Sequence, residues 1–431
     1  MDGLALTLIF LFVLFLMLGS SVWIGVSLLA VAWVGMELFT SRPVGDAMAL
    51  NIWGAASAWS LTALPLFVWM GEILFRTRLS ENLFRGLTPW LHNLPGGLLH
   101  VNITGSAIFA AICGSSAATV LTVGKMAVPE LKRRKYPESM IIGTLAGAGT
   151  LGLLIPPSII LIIYGVTVNE SIVKLFIAGV LPGILLALLF MGYVAVWDML
   201  GGNKERADKE TYTASQRIRA LGQLVPIISL ILAVMSSIYF GVATATEAAV
   251  LGVLGAFAIS WQQGSLTREN FMASLMGATR TSCMIAFILA GSHFLTLAMG
   301  FTGLPRTVAE WIASLELTPA MLIAVLAIFY IILGCFLDGI SSIVLTMAVV
   351  EPIARQAGFD MIWFGIFLTI VVEIAQITPP IGFNLFVLQG MTGRDMDFIA
   401  RAALPMFALM VLAVVIISLF PGIATWLPSQ M

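Results

Sequence analysis

The chain has 431 residues, of which 60% are broadly apolar and only 10% charged, against roughly 25% charged in an ordinary soluble domain. With 21 basic and 22 acidic residues the net charge is -1. This balance excludes a nucleic-acid binder held by a basic face, and the hydrophobicity excludes a disordered chain. A soluble globule of this length has too little polar surface to enclose so much apolar side chain, so lipid is the solvent for most of it.

In chain order, the first uncharged run lies between Asp2 and Glu37, spans 34 residues and splits at Gly19-Ser20-Ser21. It reads as two spans, 3–19 and 21–39, rather than a cleavable signal, because it lacks a basic leading segment. Further spans are expected at 58–75, 138–168, 174–197, 220–239, 243–262, 280–299, 360–390 and 396–420, each long enough to cross a bilayer as a helix. Two other apolar stretches, about 95–128 and 318–352, carry small polar clusters at their centres: Cys113-Gly114-Ser115-Ser116 and Asp338-Gly339-Ile340-Ser341-Ser342. Glycine and serine there favour a turn, and a turn at mid-membrane depth makes a re-entrant hairpin; the plainer alternative is two kinked spans.

With the N-terminus outside and both hairpins returning to their side of entry, 17 of the 21 basic residues face the cytoplasm. They include Arg76, the run Lys132-Arg133-Arg134-Lys135, Arg268, Arg280 and Arg394. Arg42, Lys174, Arg306 and Arg355 fall outside. The positive-inside rule therefore supports periplasmic N- and C-termini.

The prolines expose a repeat. Pro156-Pro157 is followed by Pro182, and Pro379-Pro380 by Pro405, both at an offset of 223 without a gap. The halves are 1–198 and 220–431, joined by a polar cytoplasmic linker at 199–219. Five crossings in each half place the second upside down relative to the first. The expected architecture is an all-α polytopic membrane protein of two inverted five-helix repeats, each with a hairpin and a Pro-Pro-broken helix. Inverted repeats with discontinuous helices belong to secondary transporters, whose sites lie at the broken helices.

Pro157 and Pro380 mark the structural breaks, since successive prolines remove backbone donors and clash with the preceding turn. Freed carbonyls and hydroxyls suit sodium, and half-helix N-termini suit a carboxylate substrate. Two pseudo-symmetric sodium sites are expected: Ser115, Ser116, Gly147, Gly152 and Pro156 in one, Gly339, Ser341, Ser342, Thr378 and Pro379 in the other. Small residues also simply allow close helix packing in membranes. Asp338, Thr119, Ser158, Glu373 and Asn384 are candidates for the substrate site or for coupling. Asp338 is expected to supply cation charge or to orient the hairpin tip. Glu247 is expected to anchor backbone N–H groups at a helix start. The three cysteines are too dispersed for a disulfide framework or zinc site, the histidines too dispersed for a transition metal, and no Walker A loop or catalytic constellation appears.

Gly114-Ser115-Ser116-Ala117-Ala118-Thr119, Gly152-Leu153-Leu154-Ile155-Pro156-Pro157-Ser158-Ile159, Leu175 through Gly183, and Ile377-Thr378-Pro379-Pro380-Ile381-Gly382-Phe383-Asn384-Leu385-Phe386 carry a family likeness. The chain resembles the large (DctM- and SiaM-like) membrane subunit of tripartite ATP-independent periplasmic (TRAP) transporters along nearly its whole length. It departs from the pattern at Ala245, usually proline, and at Lys135 before Tyr136, usually glycine. The resemblance implies an elevator-type, sodium-coupled carrier of an organic acid in the bacterial inner membrane, with no enzymatic activity and no cofactor beyond sodium. It implies a small four-helix membrane partner and a periplasmic substrate-binding protein, and it makes 43–57 and 266–280 amphipathic arms of a scaffold. The rivals are a stand-alone anion:sodium symporter, and a channel or structural membrane subunit.

Overall fold

A computed structural model describes residues 12–13, 16–17, 20, 22–201, 212–380 and 382–431, without the side chains of residues 60, 79, 80, 304, 306 and 313. The described residues are helical throughout, with no strand among them. Most of the expected span 3–19, the middle of the linker and Ile381 lie outside them.

The first half comprises α1 (Ile24–Phe39), α2 (Val44–Ala56), a 3₁₀ turn (Trp59–Thr62), α3 (Ala63–Phe75), α4 (Leu79–Leu91), α5 (Leu98–Cys113), α6 (Ser116–Arg133), α7 (Glu138–Leu154), α8 (Ile159–Val168) and α9 (Ile172–Met199). The second comprises α10 (Ala214–Tyr239), α11 (Ala245–Gln262), α12 (Arg268–Thr302), α13 (Leu304–Ser314), α14 (Pro319–Gly334), α15 (Gly339–Gln356), α16 (Met361–Gln376), α17 (Phe383–Thr392) and α18 (Met396–Leu419), before the short Gly422–Thr425 helix. Five of these, α9, α10, α11, α12 and α18, are long and apolar enough to cross a membrane, and α7 with α8 forms a sixth, broken span bent by 41°. The molecule is an all-helical polytopic membrane protein.

Both hairpins appear where the polar clusters fall. Gly114 takes a left-handed φ of 58° between α5 and α6, a conformation that suits glycine. Asp338 caps α15, accepting from the backbone N–H groups of Ile340 at 3.1 Å and Ser341 at 3.3 Å. Both helix breaks also appear. Ile155 is extended because a proline follows it. Ser158 then caps α8, accepting from the N–H of Leu161 at 3.3 Å. At the second break Thr378 returns its hydroxyl to the Ile374 carbonyl at 2.7 Å, closing the end of α16. The two Pro-Pro peptide bonds are cis.

Helix starts recur at the 223 offset: α6 and α15 begin at 116 and 339, and α7 and α16 at 138 and 361. Three features differ from the sequence reading. The arm expected at 266–280 and the span expected at 280–299 form one continuous helix, α12, of 35 residues. No proline stands at their junction, Thr279-Arg280-Thr281, and the helix runs unbroken through it and through Gly277. The span expected at 58–75 begins its α-helix only at Ala63, after the 3₁₀ turn. The helices α4 and α13, too polar to read as spans, were not anticipated.

The packing crosses between halves. On one side α18 lies on α7, where a methyl group at Gly147 would meet Met406 Cβ at 2.7 Å. On the other, α9 lies on α16, where a methyl at Gly365 would meet Leu175 Cδ2 at 3.1 Å. Each broken helix thus rests on the last helix of the opposite half. A second group packs beside this core: α12 lies along α1, α2 and α3, and α11 on α3 and α10.

Candidate functional site

The two hairpin tips and the two breaks meet. A methyl at Gly152 would lie 2.8 Å from the backbone carbonyl of Ser115, so tip one sits directly on the end of α7. A methyl at Gly114 would stand 3.1 Å from the Pro157 carbonyl. At tip two, the Cys335 thiol donates to the Pro379 carbonyl at 3.4 Å, and a methyl at Gly334 would strike Ala375 Cβ at 2.6 Å. Tip two also reaches the first half, since a methyl at Gly339 would meet Ile160 Cδ1 at 3.3 Å.

One side-chain contact ties the halves together at this point. The Ser116 hydroxyl, on the first turn after tip one, donates to Glu373 Oε1 on α16. Glu373 is 1% exposed and its other oxygen has no partner among the described residues. A buried carboxylate costs several kcal/mol in a membrane unless compensated, and among the described residues the Ser116 hydroxyl is the one hydrogen-bond partner of Glu373. The position of Glu373 at the 223 offset is Thr150, whose hydroxyl simply returns to the Gly147 carbonyl at 2.6 Å. Only one of the two equivalent positions carries a carboxyl group.

Beside these groups opens a cleft of about 2330 Å³ between the tips and α1, α3 and α12. That exceeds the roughly 300–1,000 Å³ of a small-molecule pocket, so a ligand fills part of it. Ser115, Ser116, Asp338, Gly339, Ser341 and Asn384 all line it. Asn384 is fully buried on the first turn of α17, and among the described residues neither its amide atoms nor the buried Ser342 hydroxyl have a partner. The Asp338 carboxylate is occupied by its helix N-terminus and by the Ser341 hydroxyl, so it orients the tip.

Other candidates lie back from the cleft. Gly147 faces Met406 inside the α7–α18 contact rather than tip one. Pro156 is buried against Gly179, Thr119 donates to the Ser115 carbonyl at 2.8 Å, and Ser158 donates to the Leu153 carbonyl. Thr378 is half-buried and Pro379 exposed at the second break. Glu247 stands apart in a capping box with Thr244, accepting from its N–H at 2.8 Å, as expected of a helix-start anchor.

Three cleft residues escaped the sequence reading. Gln376, 4% exposed and with no partner for its amide nitrogen among the described residues, sits one turn beyond Glu373, where only its place before the break hints at a role. Glu72 and Arg280 line the opposite wall. In the sequence Arg280 is one basic residue among 21, with no local motif to single it out.

A family model described as "Tripartite ATP-independent periplasmic transporter, DctM component" matches residues 9–423. The C4-dicarboxylate TRAP transporter large permease protein DctM of Pseudomonas aeruginosa is 32% identical over 387 residues, covering 89% of each chain. The isethionate TRAP transporter permease protein DctMQ of Oleidesulfovibrio alaskensis is 30% identical over 96% of this chain and 64% of its own length. Among solved structures, the Alcanivorax borkumensis YdaH transporter shares the fold with a TM-score of 0.63 at 12% identity, covering 93% of this chain and 97% of its own. The chain belongs to the DctM component family, the large permease subunits of TRAP transporters.

Proposed function

We propose that the chain is the permease of a sodium-coupled secondary transporter that takes up a small organic anion, with a C4-dicarboxylate or isethionate-type substrate as the nearest chemistry. The observation that carries this reading is the convergence of two hairpin tips and two broken helices beside one cleft, with Ser116 and Glu373 joined across the halves. Unwound carbonyls and buried hydroxyls are oxygen donors of the kind a hard cation takes, and helix N-termini at the tips favour an anion. The 223 offset of the prolines and of the helix starts, with the five crossings that the sequence leads one to expect in each half, supports an inverted repeat. In that arrangement α5–α9 and α14–α18 move as the transport body along a scaffold of α1–α3 and α10–α12. A bacterial inner-membrane setting, a small membrane subunit and a periplasmic binding protein complete the reading, drawn from family membership.

The test is uptake of labelled succinate and isethionate into proteoliposomes holding this chain, its small partner and the binding protein. An inward sodium gradient is expected to drive accumulation that an equal potassium gradient does not. Accumulation indifferent to sodium would sink the coupling, and accumulation without the binding protein would favour a stand-alone symporter.

A further inference from the structure

Among the described residues the cleft has three charged side chains on its walls: Glu72, Arg280 and Asp338. Two are engaged. Asp338 is held by its own helix N-terminus, and Glu72 pairs with Arg76 at 2.9 Å. Arg76 also donates to the Ala273 carbonyl of α12 at 3.2 Å, which pins that pair to the scaffold. The Glu72 carboxylate lies where a side chain at Gly277 would otherwise stand, since a methyl there would meet Oε2 at 2.6 Å. Arg280, exposed on the same helix and three residues further on, shares that face but makes no ion pair or hydrogen bond among the described residues.

A guanidinium without a partner among the described residues, in a cleft whose two carboxylates are already engaged, is a receptor for anions. Its planar fork matches a carboxylate or sulfonate with two parallel hydrogen bonds, and apolar walls strengthen the attraction over that in water. The charge has no counterpart at the 223 offset, where residue 57 is a serine at the end of α2. Tip one lies close by: a methyl at Gly71, next to Glu72, would stand 3.2 Å from the Cα of Cys113. The cation therefore lines the same cleft as the tip of one hairpin, from the α12 side, and has no equivalent at the 223 offset.

We propose that Arg280 is an anion-docking residue on the scaffold wall, which binds the carboxylate or sulfonate group of the substrate when tip one faces it. The proposal rests on the transport reading for its substrate class, but its test does not need transport. Cys283, exposed and lining the same cleft one turn from Arg280, is a built-in reporter. In the C113A background, with the chain and its small partner in detergent, the reporter is labelled by an anionic and by a cationic methanethiosulfonate.

The ratio of anionic to cationic rates is expected to fall roughly tenfold in R280Q, the scale of one nearby charge removed at intermediate dielectric. R280K, which keeps the charge but loses the fork, is expected to retain the ratio. Millimolar succinate or isethionate is expected to slow labelling of the parent and not of R280Q. An R280Q ratio equal to that of the parent would overturn the proposal. So would a changed ratio without protection by either anion, because the charge would then bind nothing. Protection that persists in a preparation inactive in sodium-driven uptake would sink the transport reading and leave the docking site standing.

Discussion

Single residues set the chemistry here through partners that are remote in sequence. Ser116 and Glu373 are 257 positions apart, so no local motif announces their contact; each was legible as a candidate, and the pair was not. Replacing Ser116 by alanine removes the hydroxyl that Glu373 accepts from and leaves both carboxyl oxygens buried without a partner. S116A should lower stability by about 1–3 kcal/mol, read as a drop in melting temperature of the detergent-purified protein. E373Q keeps an acceptor for Ser116 without the acid, so it should melt like the parent. Its sodium-driven uptake should fall by about tenfold or more, equivalent to ~1.4 kcal/mol per decade. Equal uptake by E373Q and parent would remove Glu373 from the coupling machinery.

Elements were most legible where punctuation is strong. Both hairpin tips and both breaks fall where glycine, serine and paired prolines interrupt apolar runs, since a turn residue or a missing backbone donor ends a helix whatever its surroundings. Continuity was harder to read. Nothing in the residues near Arg280 announces that the arm and the span behind it share one axis, because the change from polar to apolar composition looks the same bent or straight. The amphipathic α4 and α13 gave no span signal, having apolar residues on one face only. The closest contact between elements suggests the sharpest test. In G152A the new methyl would press on the Ser115 backbone at 2.8 Å, and neither backbone can yield without moving tip one off the break. We expect G152A to express and insert but to lose most uptake, whereas G192A, which meets nothing within 4 Å, should transport normally. Normal uptake by G152A would show that the tip does not need this seat.

Across the molecule, two charged clamps occupy corresponding places. At one end Glu138 on α7 takes Lys132 from the end of α6 at 2.6 Å and Arg394 from the loop after α17. The Glu138 carboxylate beside Arg394 holds that guanidinium protonated beyond its ordinary range. At the other end Arg355, which is Lys132 shifted by 223, pairs with Glu351 at 2.9 Å and donates to the Val168 carbonyl at the end of α8 at 3.0 Å. Each clamp binds the returning arm of one hairpin to a loop of the other half. Half-exposed pairs of this kind contribute about 0–1 kcal/mol each and weaken with salt. E138Q should therefore lower the melting temperature by roughly 1–4 °C in dilute buffer, a difference that shrinks in 1 M salt. A loss that persists undiminished in high salt would mean that packing, not charge, holds the two ends.

The difference between α12 and its counterpart has a mechanical consequence. At the 223 offset, α2, the 3₁₀ turn and α3 correspond to a single unbroken stretch of α12. At about 1.5 Å per residue, the 35 residues of α12 make a beam of roughly 52 Å, while its counterpart is jointed after Ala56. Bending a continuous helix strains its whole hydrogen-bond ladder, whereas a joint swivels on a few dihedral angles. A load applied to the arm of α12 reaches the Arg280 wall undiminished, and the same load on α2 dissipates at its elbow. Two halves that share a blueprint thus respond to force differently: one is a lever, the other a hinge.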